Sequence, residues 1–208
     1  MPMIEDFETV TGVFEDEFTL KGSRFIGISM PCPTEGHIKP NLEDVMRRYP
    51  NATHYCYAAV FGGSERRERS SDNGEPAGTA GKPMAAVLKG SGLTDVMVVS
   101  VRYFGGTLLG TGGLVHAYTE SAKQALSGIV RKRYTACCTY TFSLDYHWYS
   151  VFESKCRDMM AKRPECEFGM NVDVKAWILT DREDEFVRRI TDLTERHVRL
   201  VKGRDEYI

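Results

Sequence analysis

Arg102-Tyr103-Phe104-Gly105-Gly106-Thr107-Leu108-Leu109-Gly110-Thr111-Gly112-Gly113 follows the apolar run Val96-Met97-Val98-Val99-Ser100-Val101. It precedes Leu114, Tyr118, Ser121, Ala122, Ala125 and Ile129, set at three- and four-residue steps. The order predicts a strand, a glycine-dense loop and a helix. A nearly continuous apolar run fits a strand covered on both faces, and the later spacing draws one apolar stripe along a helix. Upstream, Ser70-Ser71-Asp72-Asn73-Gly74-Glu75-Pro76-Ala77-Gly78-Thr79-Ala80-Gly81-Lys82-Pro83 forms a second glycine-dense loop. Pro83 suits the first turn of a helix that buries Met84, Val87 and Leu88 and ends at Gly90 and Gly92. Glycine loses backbone entropy on folding and fills no core volume. Two dense clusters therefore imply special backbone angles, or a backbone that something approaches closely.

Working outward, residues 7–30 alternate enough for two strands turning at Lys21-Gly22-Ser23. Pro31, Pro33, Gly36 and Pro40 mark a loop. Asn41 is expected to cap a short helix carrying Leu42, Val45, Met46 and Tyr49 and closed by Pro50. Thr53 to Phe61 reads as a strand. Gly62 to Glu75 reads as a long polar connection bearing Arg66, Arg67 and Arg69. The cluster Arg131-Lys132-Arg133 is expected near the end of the helix that follows Gly113, where positive charge suits the dipole.

After residue 134 the pattern changes. Ala136 to Tyr146 predicts a strand and Trp148 to Lys162 a helix. Phe168 to Leu179 predicts a strand or the second half of a hairpin, Arg182 to His197 a helix, and Val198 to Lys202 a last strand. The order β-α-β-β-α-β is the ferredoxin-like plan. The expectation is an α+β chain of two domains, 1–134 and 135–208, closely coupled because no Gly/Ser/Pro-rich linker separates them.

The 208 residues suffice for one large or two small domains. With 42% hydrophobic and 27% charged residues and a net charge of −2, the chain has no global attraction to nucleic acid or anionic membrane, so any basic surface is local. No apolar run approaches the ~18 residues of a membrane span, and Met1-Pro2-Met3-Ile4-Glu5-Asp6 lacks the regions of a signal peptide. A cytoplasmic protein is expected. Cys32, Cys56, Cys137, Cys138, Cys156 and Cys166 form no CxxC pair, which favours buried free thiols over a zinc site.

The candidate site is drawn from both loops. The first turn of a helix offers unpaired N–H donors at a positive dipole end, and a glycine loop lets an anion reach them. Gly105, Gly106, Gly110, Thr111, Gly112 and Gly113 meet that description, with His116 placed in the first turn beyond them. A P-loop running from Gly105 needs Lys where Thr111 stands, and the dinucleotide fingerprint lacks its last glycine after Gly113. Neither nucleotide motif is met. Arg102, Tyr103 and Phe104 offer charge and stacking surface to a nucleic acid. Gly74, Gly78, Thr79, Gly81 and Lys82 line the first loop. Asp72 and Glu75 there have the chemistry for metal or acid–base work, but Asp72-Asn73-Gly74 is strong turn chemistry, and the turn role is favoured. His54 and Cys56 share one strand face, better read as a sheet face with a buried cysteine than as a base and nucleophile. No catalytic, metal or cofactor residue is assigned.

Together the two loops resemble the Impact/YigZ family. The resemblance is carried by Glu68 through Pro83, then Val98-Val99 and Arg102-Tyr103-Phe104-Gly105-Gly106. It continues in Leu109-Gly110-Thr111-Gly112-Gly113-Leu114-Val115 and Ala117-Tyr118, with Lys21 to Ile26 and Ala52 to Ala58 in support. It implies a first domain like the second domain of a small-subunit ribosomal protein and a ferredoxin-like second domain similar to domain V of elongation factor G. Eukaryotic relatives regulate translation through the amino-acid-starvation kinase pathway. The expected function is therefore non-enzymatic and translation-associated, binding RNA or the ribosome through the glycine loops with an affinity that falls steeply with salt. A protein partner through the second domain is a further expectation. The alternative is an enzyme or sensor that takes a phosphorylated small molecule at the same loops. The family pattern has arginine where this chain has His116.

Overall fold

A computed structural model describes residues 4–208 as an α+β protein. It divides into two compact units: Phe7–Arg133, and Tyr134–Ile208 together with the described residues up to Asp6. Residues 4–6 group with the second unit because the Ala136 N–H donates to Asp6 Oδ1 and the Thr180 hydroxyl to the Ile4 carbonyl.

The first unit runs β1 (Phe7–Thr11), β2 (Phe14–Leu20), β3 (Ser23–Pro31), α1 (Ile38–Arg48), β4 (His54–Phe61), β5 (Arg67–Ser71), α2 (Gly81–Ser91), β6 (Val96–Tyr103), α3 (Gly110–Ala125) and β7 (Val130–Tyr134). Five strands form an antiparallel sheet in the order β2-β3-β6-β4-β5, and β1 pairs with β7 apart from it. The central strand β6 explains its own apolar run. Val96 and Val98 face the core under α2 and α3, while Met97, Val99 and Val101 face the core under α1. Each such buried valine contributes about 1.5–3 kcal/mol. Helix α3 lies close to the sheet: a Cβ at Gly27 would sit 2.3 Å from the Ser121 carbonyl oxygen, and beside it the Ser100 and Ser121 hydroxyls bond at 2.7 Å.

Local details depart from the sequence expectation. Residues 7–30 form three strands, not two. Helix α1 begins at Ile38, with Pro40 in its first turn where no N–H is needed. Asn41 is no cap; its amide donates to the Pro31 carbonyl instead. The polar connection 62–75 contains β5, an edge strand whose side chains are mostly exposed and so carry no apolar pattern. The Arg131 cluster sits on β7, not at the end of α3, and Arg131 pairs with Glu8 at 3.1 Å.

The second unit runs β8 (Ala136–Leu144), α4 (Tyr146–Lys155), β9 (Glu165–Phe168), β10 (Val172–Leu179), α5 (Glu183–Leu193) and β11 (Val201–Tyr207). Its sheet order, β11-β8-β10-β9, with antiparallel pairs throughout, is that of a ferredoxin-like fold. Phe142, Phe152 and Phe186 pack its core, with ring centroids 5.2 and 6.2 Å from Phe142. Asp145 caps α4 by accepting from the Trp148 N–H at 2.9 Å. The helix expected over 148–162 ends at Lys155 and gives way to a short 3-10 turn, Arg157–Met159. All six cysteines are free, and all but Cys166 are buried. Among the described residues no helix is long and apolar enough to cross a membrane.

Candidate functional site

Sheet register builds the floor of the site. Phe25 on β3 lies opposite Arg102 on β6, which lies opposite His54 on β4. The three side chains form one row across three strands, on the face that carries α2 and α3. Alternation sends Tyr103 to the other face, where it packs with the α1 cluster and donates its hydroxyl to the Pro50 carbonyl at 3.1 Å.

Arg102 is only 4% exposed. Its guanidinium lies between two rings, 5.5 Å from the centroid of Phe25 and 5.5 Å from that of Phe104. Nη1 donates to Glu75 Oε1 at 2.6 Å, and Nη2 to the Ser23 hydroxyl at 3.3 Å. Among the described residues Nε–H has no acceptor. Glu75, 8% exposed, reaches in from the loop before α2. The same Oε1 accepts from the Tyr118 hydroxyl on α3 at 2.7 Å and lies 3.8 Å from His54 Nε2. His54 Nδ1 lies 2.9 Å from the Asn73 carbonyl, which fixes the proton on Nδ1 in the neutral ring and leaves Nε2 turned toward Glu75. Arg102, read from the sequence as offering charge to a nucleic acid, is buried here. It is a buried organiser, neutralised by a carboxylate.

The two glycine loops serve different ends. In the first, Asp72 turns inward and accepts three backbone N–H bonds: from Gly78 at 2.8 Å, Ala80 at 2.9 Å and Gly81 at 2.8 Å. Burial pushes its carboxyl up, but these bonds and the charge of Lys82 outweigh that and hold it below the ordinary carboxylate range. The amides that open α2 are thus occupied by the protein's own carboxylate. Thr79 is buried, donating to the Pro76 carbonyl, and Gly81 packs against Ser71. Gly74 lies beside His54, and Lys82 is exposed on the first turn of α2. Asp72, Thr79 and Gly81 of this loop thus hold the fold together, while Glu75 reaches toward Arg102.

The second loop stays open. Helix α3 has no side-chain cap at Leu109, and Gly110, Thr111 and Gly112 are exposed. Gly105 answers to the scaffold, since a Cβ there would sit 1.9 Å from the Gly22 carbonyl carbon, and its N–H donates to Ser23 Oγ. Gly106 and Gly110 hold φ of +82° and +72°, the left-handed region that glycine enters freely. His116 is the seventh residue of α3, one turn past the amide donors rather than among them.

Between the loops lies a cleft of about 430 Å³. Thr53, His54, Glu75 and Arg102 form its polar wall. Leu109, Leu114 and Pro76 are its apolar wall, Gly110 and Thr111 open α3 beside it, and Phe104 and Leu108 stand at the rim, 45% and 84% exposed. Of the residues nominated from sequence, the cleft unites Glu75, Arg102, Phe104, Gly110 and Thr111. Asp72, Gly74, Gly78, Thr79, Gly81, Lys82, Tyr103, Gly105, Gly106, Gly112, Gly113 and His116 do not line it. Thr53, Ser23 and Tyr118 were not nominated. Cys56 is inert: burial pushes its thiol up to about 12, and Sγ donates to the Asp72 carbonyl.

Over this same region, residues 21–126 match the Impact N-terminal domain. The chain belongs to the IMPACT family. An IMPACT family member of Bacillus subtilis, YvyE, is 33% identical over 99% of this chain and 95% of its own length. The Escherichia coli member YigZ is 37% identical over 88% of this chain and 90% of its own. A crystal structure of a hypothetical protein, 32% identical, covers 98% of this IMPACT chain and 100% of its own with a TM-score of 0.64.

Proposed function

We propose that this IMPACT family protein is a non-enzymatic, translation-associated binding protein that takes RNA at the cleft beside the start of α3. The observation that carries the proposal is the contrast between two helix starts. The Ala80 and Gly81 amides at the start of α2 donate to Asp72, whereas among the described residues no side chain accepts from the first amides of α3, where Gly110 and Thr111 line a cleft. An uncapped helix N-terminus receives anionic oxygens. The buried Arg102, whose Nε–H has no acceptor among the described residues, adds a polar group with unused donor capacity to the wall of the same cleft. Phe104 adds an exposed ring on which a base can stack. The translation link rests on the family, whose eukaryotic members regulate translation.

A second reading, capture of a phosphorylated small molecule, is favoured by the size of the cleft, about 430 Å³, and its few convergent polar groups. Fluorescence anisotropy with labelled single-stranded RNA, run beside thermal shift with nucleotides and sugar phosphates, separates the two. Binding of single-stranded RNA supports the first; a melting-temperature rise with a free metabolite and no affinity for RNA replaces it with the second.

A further inference from the structure

We infer that the unit recognised is one terminal nucleotide of an RNA strand carrying a phosphomonoester, rather than a stretch of internal backbone; this deepens the RNA reading and rests on it. Three observations define the unit. The first is charge. A protein that follows a strand needs a groove of cations along its path. Here Arg24, Arg47, Arg69 and Arg131 each meet a carboxylate, at 2.5, 3.0, 2.7 and 3.1 Å. Arg48 does so with Glu15, and Arg66 donates to the Gly92 carbonyl. Arg66 and Arg69 of one sequence cluster and Arg131 of the other thus already engage the protein's own groups.

The second is shape. The cleft has Glu75 and Arg102 in its wall, and its volume of about 430 Å³ is the size of a site for one small unit. The third is the pairing of two different contacts. The α3 amides at Gly110 and Thr111 take negative oxygens at one wall, while Phe104 presents its ring at the rim, backed on its inner face by the Arg102 guanidinium. Phosphate and base of a single nucleotide meet both. A phosphomonoester carries about −1.5 to −2 charges and three acceptor oxygens. An internal diester has one charge and two free oxygens, and its chain must leave the cleft in both directions.

The test compares four forms of one short unstructured RNA by anisotropy: 5′-phosphate, 3′-phosphate, both ends hydroxyl, and circular. Binding about tenfold or more tighter for one phosphorylated end than for the hydroxyl form, with the circle weakest, is expected. In that form Phe104→Ala weakens binding by about fivefold or more, the span of one lost base–aromatic stack. In place of the steep salt dependence expected from the sequence, one or two phosphate contacts give a shallow one, with a log–log slope near −0.7 to −1.4. Equal affinity for all four forms overturns this inference while leaving the RNA reading standing. No affinity for any RNA overturns both. The exposed ring of Phe104 makes its truncation tolerable to the fold; circular dichroism before and after melting verifies this independently of binding.

Discussion

Arg102 and Glu75 meet at 2.6 Å with both side chains nearly sealed from water, on the floor of the cleft. Their attraction offsets the cost of burying two charges with the help of further contacts on each side. Glu75 Oε1 also holds Tyr118, and Arg102 is stacked between Phe25 and Phe104. Removing one partner leaves the other stranded. Arg102→Met should cost about 3–5 kcal/mol, read as a drop in the urea midpoint at unchanged slope. Arg102→Met combined with Glu75→Leu should recover a large part of that loss. A single variant as stable as wild type would show that the pair is not coupled.

Asp72 supports the fold through the start of α2. Asp72→Asn keeps one carbonyl oxygen for Ala80 and Gly81 but turns an amide toward the Gly78 N–H. It should cost about 1–2 kcal/mol. The pH dependence has a definite sign. The folded carboxyl titrates below its unfolded value, so its contribution is present above the unfolded pKa of about 3.9 and is lost as pH falls through the lower folded value. Denaturation titrations of wild type and Asp72→Asn should therefore converge on acidification and stay apart near neutrality.

Two glycines of one loop should respond oppositely to alanine. At Gly105 a Cβ would collide with the Gly22 backbone, and neither chain segment can give way cheaply. At Gly112, on the first turn of α3, a Cβ meets no atom within 4 Å and φ is not in the left-handed region. Gly105→Ala should destabilise by well over 1 kcal/mol, whereas Gly112→Ala should stabilise by about 0.5–1 kcal/mol. Thermal melts of both variants check the pair of signs.

Much of the fold was legible because it rests on periodicity. The run 96–101 and the stripe Leu114–Tyr118–Ala122–Ala125 fix β6 and α3, and the βαββαβ order of the second unit follows from simple alternation of types. What escaped notice has a physical reason. Strand β5 is an edge strand with exposed polar side chains, so nothing in its pattern announces a strand. Asn41 reads as a cap by residue type, but its amide reaches a carbonyl ten residues back. Strand alternation could have separated Arg102 from Tyr103, since adjacent residues point to opposite faces. That Arg102 turns inward, however, depends on Glu75 and Tyr118, distant in sequence and joined to it only by tertiary packing. Equally, no local signal distinguishes a loop whose amides are filled by Asp72 from one left open.

The competence of the α3 start as an anion receptor is tested most directly by Thr111→Glu, measured for RNA affinity and for stability on the same preparation. Thr111 is exposed in the first turn, so a carboxylate there should be neutral or stabilising by about 0.3–1 kcal/mol through the helix dipole. The same charge should compete for the amides and repel a phosphate, lowering RNA affinity by tenfold or more. A variant that melts no lower than wild type yet has lost RNA is the predicted result. Undiminished RNA affinity in a folded Thr111→Glu protein would contradict the assignment of the cleft.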